Sequence, residues 1–187
     1  MPPLTILQGS LATPLETFAR RLHELEVGEV MFGPISWGLN SVDGLKDFVT
    51  QYYGLRDHVY AKQGGILDLR GDDAPTDIDR HDARSVHIAA IENAVDGLRI
   101  VGCVRVILRC HPEHHEAHTG LRNKGLVTSA GALPAEELFP EEVPDLLGSN
   151  SNAFEVSRYI IRQPEALTRL DIALGLHRSI TLSLIHI

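Results

Sequence analysis

The sequence predicts one mixed α/β domain, and three patterns carry that expectation. Helix-period apolar stretches occupy the N-terminal third, two β-rich runs separated by a turn signal follow, and an apolar run over 153–161 precedes a last helical stretch. With 187 residues, 43% hydrophobic and 22% charged, the chain is long enough to bury a sizeable core. Its formal charge of −8 argues against a general nucleic-acid binder, which needs clustered Lys and Arg. Cys103 and Cys110 are too few for a secreted disulfide framework, and the N-terminus has neither a basic region nor a long apolar one. A cytoplasmic chain is therefore expected, without a transmembrane segment, since no run reaches about 18 apolar residues.

In chain order, Thr13-Pro14-Leu15-Glu16 reads as a capping box opening a helix to about Glu26, with Leu15, Phe18, Leu22 and Leu25 on one face. Val30–Ile35 contains Gly33 and Pro34, which suits an edge strand or an extended entry segment. Ser41 caps a second helix whose stripe is Val42, Leu45, Phe48, Val49, Tyr52, Leu55 and Val59, and Gly64-Gly65 ends it. The acidic segment 68–82 is a loop. Ser85–Ile91 and Leu98–Leu108 flank Asp96-Gly97 and read as a β-hairpin. The stretch 110–152 is irregular, with a short helix at Pro134, and its length suits a functional or mobile connection. After the strand containing Glu155, Pro164 opens a final helix with Leu167, Leu170 and Leu174 on its apolar face and Gly175 as a weak point near its end.

Glu155 and Arg158 interrupt the apolar run 153–161. Strand periodicity sends them to opposite faces, so the run is either a polar strand at a cleft or an edge strand with both charges in water. Arg105 interrupts the hairpin in the same way, and two arginines on neighbouring strands can converge on carboxylates or an anionic group, or cap strand ends. Asp77-Ile78-Asp79-Arg80-His81-Asp82 can bind a cationic group or share a proton, or be a solvated acidic loop; it lacks the glycine and glutamate of a calcium loop. Cys110-His111-Pro112-Glu113-His114-His115-Glu116-Ala117-His118 invites zinc, but Pro112 and the missing H-E-x-x-H spacing favour a solvated loop, so no metal site is assigned. Neither a G-x-S-x-G elbow, a P-loop nor a Rossmann fingerprint is present.

Four segments in order, Leu55-Arg56-Asp57-His58-Val59-Tyr60, Asp79-Arg80-His81-Asp82, Gly102-Cys103-Val104-Arg105 and Glu155-Val156-Ser157-Arg158-Tyr159, resemble the acyl-homoserine-lactone (autoinducer) synthases of quorum sensing and the exosortase-associated long-chain N-acyltransferases of the GNAT superfamily. The resemblance runs from about Val30 to Ile161. It implies a GNAT-like fold in which Arg56, Tyr60, Asp79 and Asp82 bind the amine substrate, and in which Arg105 and Arg158 hold a catalytic network. It implies Glu155 as general base, directly or through a water. The reaction implied moves a fatty acyl group from acyl carrier protein, or from acyl-CoA, to a small amine such as S-adenosylmethionine or an amino acid. That acyl-pantetheine donor is a substrate; no permanently bound cofactor is implied.

Three departures bear on it. Ile66 and Leu67 stand where relatives carry a tryptophan, and the loop between Arg105 and Glu155 is long. The chain also stops where the first helix after the E-x-S-R strand should end, so a C-terminally incomplete fold is expected. The stretch 162–169 lacks the glycines that wrap a coenzyme A pyrophosphate, which favours the acidic carrier protein, with Arg99, Arg109, Arg122, Lys124, Arg162 and Arg169 as the basic surface awaiting it. The boundaries expected are 1–27 for a helical extension, 28–181 for the acyltransferase part, and 182–187 for adapter read-through, because Leu182-Ser183-Leu184-Ile185-His186-Ile187 matches a translated sequencing-library adapter. An acyl-CoA-dependent N-acetyltransferase and a non-catalytic carrier-binding module are the alternative functions.

Overall fold

The computed structural model describes residues 15–35, 48–63, 79, 81–109, 131–147, 153–162 and 168–184. Helix α1 (Leu15–His23) leads into strand β1 (Val30–Ile35), and helix α2 (Phe48–Asp57) continues as a π-helical turn, His58–Gln63. A 3-10 turn (Asp82–Arg84) opens the hairpin of β2 (Ser85–Ala94) and β3 (Gly97–Leu108). Short helices α3 (Pro134–Leu138) and α4 (Glu142–Leu147) precede β4 (Phe154–Ile161), and α5 (Arg169–Leu184) follows it. The described strands form a 4-stranded sheet in the order β1-β2-β3-β4, antiparallel at every pairing.

Both faces of β2 and β3 are covered, which explains why their sequences read as near-continuous apolar runs instead of alternating. On one face, Phe18 and Leu22 of α1 and Phe48, Tyr52 and Leu55 of α2 pack with Ala89, Ile91, Cys103 and Ile160. On the other, Ile172, Leu176 and Ile180 of α5 pack with Phe32, Val86, Ile88, Val104 and Val106. The expected apolar face of α1 is thus realised through Phe18, Leu22 and Leu25, and the hairpin turns at Val95-Asp96, with Ala94 opposite Gly97.

The last helix departs from its expectation. It starts at Arg169 behind a Thr168 cap: Thr168 N and Oγ1 donate to Asp171 Oδ2 at 2.9 and 2.7 Å, and Asp171 N donates back to Thr168 Oγ1 at 3.2 Å. A threonine that satisfies an otherwise orphaned N–H sets the start more firmly than a proline that only lacks one. Leu170 and Leu174 lie exposed, 66% and 59%, and the buried stripe is Ile172, Leu176 and Ile180. Gly175 lies inside the helix, because a Cβ there would run into the Phe32 ring; the missing side chain lets α5 approach β1. Leu167, Pro164, Ser41, Thr13, Ile66 and Leu67 fall outside the described residues. Among the described residues, no helix is long and apolar enough to cross a membrane.

Candidate active site

The D-x-x-D turn sits where α2, β2, β3 and β4 meet. Asp79 N donates to Asp82 Oδ2 at 2.8 Å and Asp82 N donates to Asp79 O at 3.1 Å, so the two aspartates close the turn on each other. Helix α2 delivers Arg56, fully buried, whose Nη1 donates to Asp82 Oδ1 at 2.6 Å; its guanidinium also lies 5.0 Å from the Tyr53 ring centroid. From β3, Arg105 Nη1 reaches Asp79 Oδ1 at 2.8 Å and Asp82 Oδ2 at 3.3 Å, while its Nε donates to Ser157 Oγ on β4 at 2.9 Å. Unpaired burial of any of these charges would cost several kcal/mol, roughly, so the set is stable as a set.

Strand β4 corrects the expectation about its own charges. Pairing advances by two residues on β3, from Cys103 to Arg105, and by three on β4, from Ile160 to Ser157. The extra residue is a β-bulge, and Arg158 within it takes a left-handed backbone with φ 53°. Simple alternation would send Arg158 away from Glu155 and Ser157. The bulge brings it back, so that Arg158 Nη2 lies 3.8 Å from Asp79 Oδ2 and its guanidinium 4.8 Å from the ring centroid of Tyr60 on the π-helical turn. A non-glycine residue held at positive φ stores strain of about 1 kcal/mol or more, and such strain concentrates at functional sites.

The structure therefore gathers Arg56, Tyr60, Asp79, Asp82, Arg105 and Arg158. Glu155 is set one pleat further along β4, opposite Ile107, and its Oε2 accepts a hydrogen bond from Ala135 N at 2.9 Å in the first turn of α3. The C-terminal end of β3, the 3-10 turn and α3 are tied together on that side: Arg109 Nη2 meets Glu136 Oε1 at 2.7 Å, and Arg84 Nη2 and His81 Nε2 each lie 3.7 Å from Glu137.

Burial divides the cluster into a floor and a rim. Arg56, Asp82 and Arg105 side chains are 0%, 7% and 3% exposed, whereas Asp79, at 25%, and Arg158, at 23%, reach solvent. For both aspartates burial alone would raise the pKa, but hydrogen bonds and charge from Arg105 at Asp79, and from Arg56 at Asp82, outweigh it and leave each below the usual carboxylate range. Both are acceptors only at neutral pH.

Sequence reasoning missed His87, a buried histidine on β2 that pairs in register with Arg105. Its Nδ1 lies 2.8 Å from Tyr52 Oη and its Nε2 3.5 Å from Asp82 Oδ1. Burial first, then the charges of Arg56 and Arg105, push its pKa down to about 4 against the opposing pull of Asp82. The available signal was a histidine inside the apolar run Ser85–Ile91, directly across a hairpin from an arginine.

Two of the basic residues expected to greet a carrier protein are otherwise engaged. Arg109 is buried against Glu136, and Arg99 donates to Glu92 Oε2 through Nε and Nη2 at 3.0 and 2.8 Å. Arg162 and Arg169 are exposed, and Arg122 and Lys124 lie outside the described residues, as does the Cys110–His118 segment. Among the described residues, no group of histidine, cysteine, aspartate or glutamate side chains is arranged to hold a metal. A separate cleft of about 350 Å³ lies between α2 and the start of β3, lined by Gln51, Leu55, Arg99, Ile100 and Arg162.

A family model described as an acetyltransferase (GNAT) domain matches residues 55–166, which takes in Arg56, the D-x-x-D turn, the hairpin and β4. No curated protein and no solved structure gives a match to the chain.

Proposed function

The chain belongs to the GNAT acetyltransferase family, and from that premise we propose that it is an N-acyltransferase moving a fatty acyl group from acyl carrier protein to a small amine such as S-adenosylmethionine or an amino acid. The observation that carries the reading is the rim of Asp79, Arg158 and Tyr60 beside the β4 bulge. A carboxylate and a guanidinium facing solvent together suit an acceptor with an ammonium and a carboxylate of its own. Arg56, having no exposed surface, serves such an acceptor by holding Asp82, and Arg105 serves it by tying the turn to Ser157.

An amine attacks only when unprotonated. Glu155, on the same face of β4 as Ser157, is the base we assign, taking the ammonium proton directly or through a water, with its rotamer fixed by Ala135 N–H. The neutral amine adds to the thioester carbonyl, forming the C–N bond, and the resulting oxyanion collapses by breaking the C–S bond; of the two protons the nitrogen loses, the one taken by Glu155 passes to solvent and the other leaves with the thiol. The bulge interrupts the β4 ladder beside the cluster, a place where main-chain N–H groups can meet the developing oxyanion. No covalent enzyme intermediate is required. The exposed Arg162 and Arg169, just after β4 and at the start of α5, suit an acidic carrier.

The family's description as acetyltransferases favours a second reading, in which acetyl- or acyl-CoA is the donor. Both are tested by following thiol release from acyl carrier protein and from acyl-CoA in the presence of candidate amines, with the product identified by mass spectrometry. Glu155→Gln is expected to lower turnover about 100-fold with folding retained. Unchanged turnover in that variant would remove Glu155 from the role of base, and turnover with CoA donors alone would select the second reading.

A further inference from the structure

The ring of His87 lies between two groups with fixed hydrogen-bonding roles. On its Nε2 side stands Asp82, which offers only acceptors: Oδ1 lies at 3.5 Å, and the ring also hydrogen-bonds to the main chain of Asp82. Arg56 at 2.6 Å keeps the Asp82 carboxylate ionised, so it has no proton to give. On the Nδ1 side stands the Tyr52 hydroxyl at 2.8 Å, buried to 1% exposure and neutral because burial drives its pKa well above the ordinary value. A neutral imidazole carries one N–H. Placing it on Nε2 satisfies Asp82 and lets the Tyr52 O–H donate to Nδ1, whereas placing it on Nδ1 would face Asp82 with a lone pair.

The same ring is wedged by aromatic neighbours on α2. Its centroid lies 5.1 Å from that of Tyr52 at 78° and 6.0 Å from that of Tyr53 at 61°, so its plane is set by packing as well as by hydrogen bonds. A chain of contacts then runs from Tyr52 on α2, through His87 on β2, to Asp82, to Arg105 on β3, and through Ser157 to the bulged stretch of β4.

We propose that His87 is a positioning residue for the acyl-transfer site: held as the Nε2–H tautomer by Tyr52 and Asp82, it fixes the Asp82 carboxylate that aims Arg105 at the β4 bulge. The proposal deepens the acyl-transfer reading, but the state of the ring is observable without any substrate. The charged and titratable groups facing it are Asp82 from the 3-10 turn, Arg56, Tyr52 and Tyr53 from α2, and Arg105 from β3. Burial first, and then the guanidiniums of Arg56 and Arg105 against the pull of Asp82, keep a second proton off the ring.

Nitrogen-15 NMR of the imidazole in the wild-type chain tests this. The expected result is one protonated nitrogen, Nε2, unchanged from pH 8 to about pH 5, and loss of the fixed tautomer in Tyr52→Phe. A proton on Nδ1, or titration near the ordinary histidine value of 6.5, would overturn the proposal. The second arm reads turnover in variants that fold. His87→Leu, which removes the hydrogen bond with Tyr52 and the polar contact with Asp82, is expected to lower kcat about 10- to 100-fold with little change in KM, because a misaimed group slows the reaction more than it weakens binding. His87→Gln, which can still donate to Asp82, is expected to recover most of that loss. Equal kcat in His87→Leu and wild type would overturn the proposal. Where the wild type turns over none of the donors, the acyl-transfer reading fails, and the NMR arm still decides the tautomer.

Discussion

The two ends of the β3–β4 ladder are built on opposite principles. At the Arg105–Ser157 end, three guanidiniums, two carboxylates and a buried histidine satisfy one another, and the ladder breaks at a bulge. At the Gly102–Ile161 end the contacts with α5 are apolar: Gly102 lets Ile172 of α5 come within 2.7 Å of where a Cβ would stand, and Leu176 closes in beside it. The apolar end asks only for the right volume. The polar end asks for every partner at once, and that dependence makes its stability sensitive to pH.

The sharpest way to break this contrast is to delete one buried charge. Arg56→Met leaves Asp82 without its closest cation, and urea unfolding is expected to show a loss of about 3–5 kcal/mol. A loss under about 1 kcal/mol would mean the polar end is not a mutually dependent set. The next largest effect is pH dependence. His87 has a folded pKa of about 4 against 6.5 in the unfolded chain, so between those values the unfolded chain binds the extra proton and stability rises with pH. Going down from pH 6.5 to 4 should therefore cost about 3 kcal/mol, a slope that His87→Gln should largely abolish. Asp79 and Asp82 act lower still: their stabilisation is present above the unfolded carboxylate value and disappears as pH falls through their depressed folded values.

At the apolar end the expected effect is smaller and indifferent to pH. Alanine is the better helix former by about 1 kcal/mol, yet Gly175→Ala drives a methyl into the Phe32 ring, and overpacking of that kind costs about 1–3 kcal/mol. Thermal unfolding at pH 5 and pH 8 should show the same decrement. A stabilised variant would contradict the close approach of α5 to β1.

Legibility in the sequence followed this same division. The face of α1 and the hairpin were readable because each follows a local period or turn signal, whereas the grouping of Asp79, Asp82 and Arg105 was implied by the family resemblance alone. The phase of α5 was not: Leu170 and Leu174 repeat at helical spacing as convincingly as Ile172 and Leu176, and the choice between them was made by where the sheet allows close approach. The bulge at Arg158 is one residue of extra chain, invisible to periodicity, yet it decides which side that guanidinium serves. His87 was hidden because its partners, Tyr52 and Asp82, come from two other elements.

The most direct test of the polar end as the acyl-transfer site is Arg158→Gly, assayed for amine-dependent release of the donor thiol. Glycine relieves the left-handed backbone while removing the guanidinium beside Asp79 and Tyr60. The expected result is stability within about 1 kcal/mol of wild type, with turnover lowered about tenfold or more. Wild-type turnover in that variant would contradict the assignment.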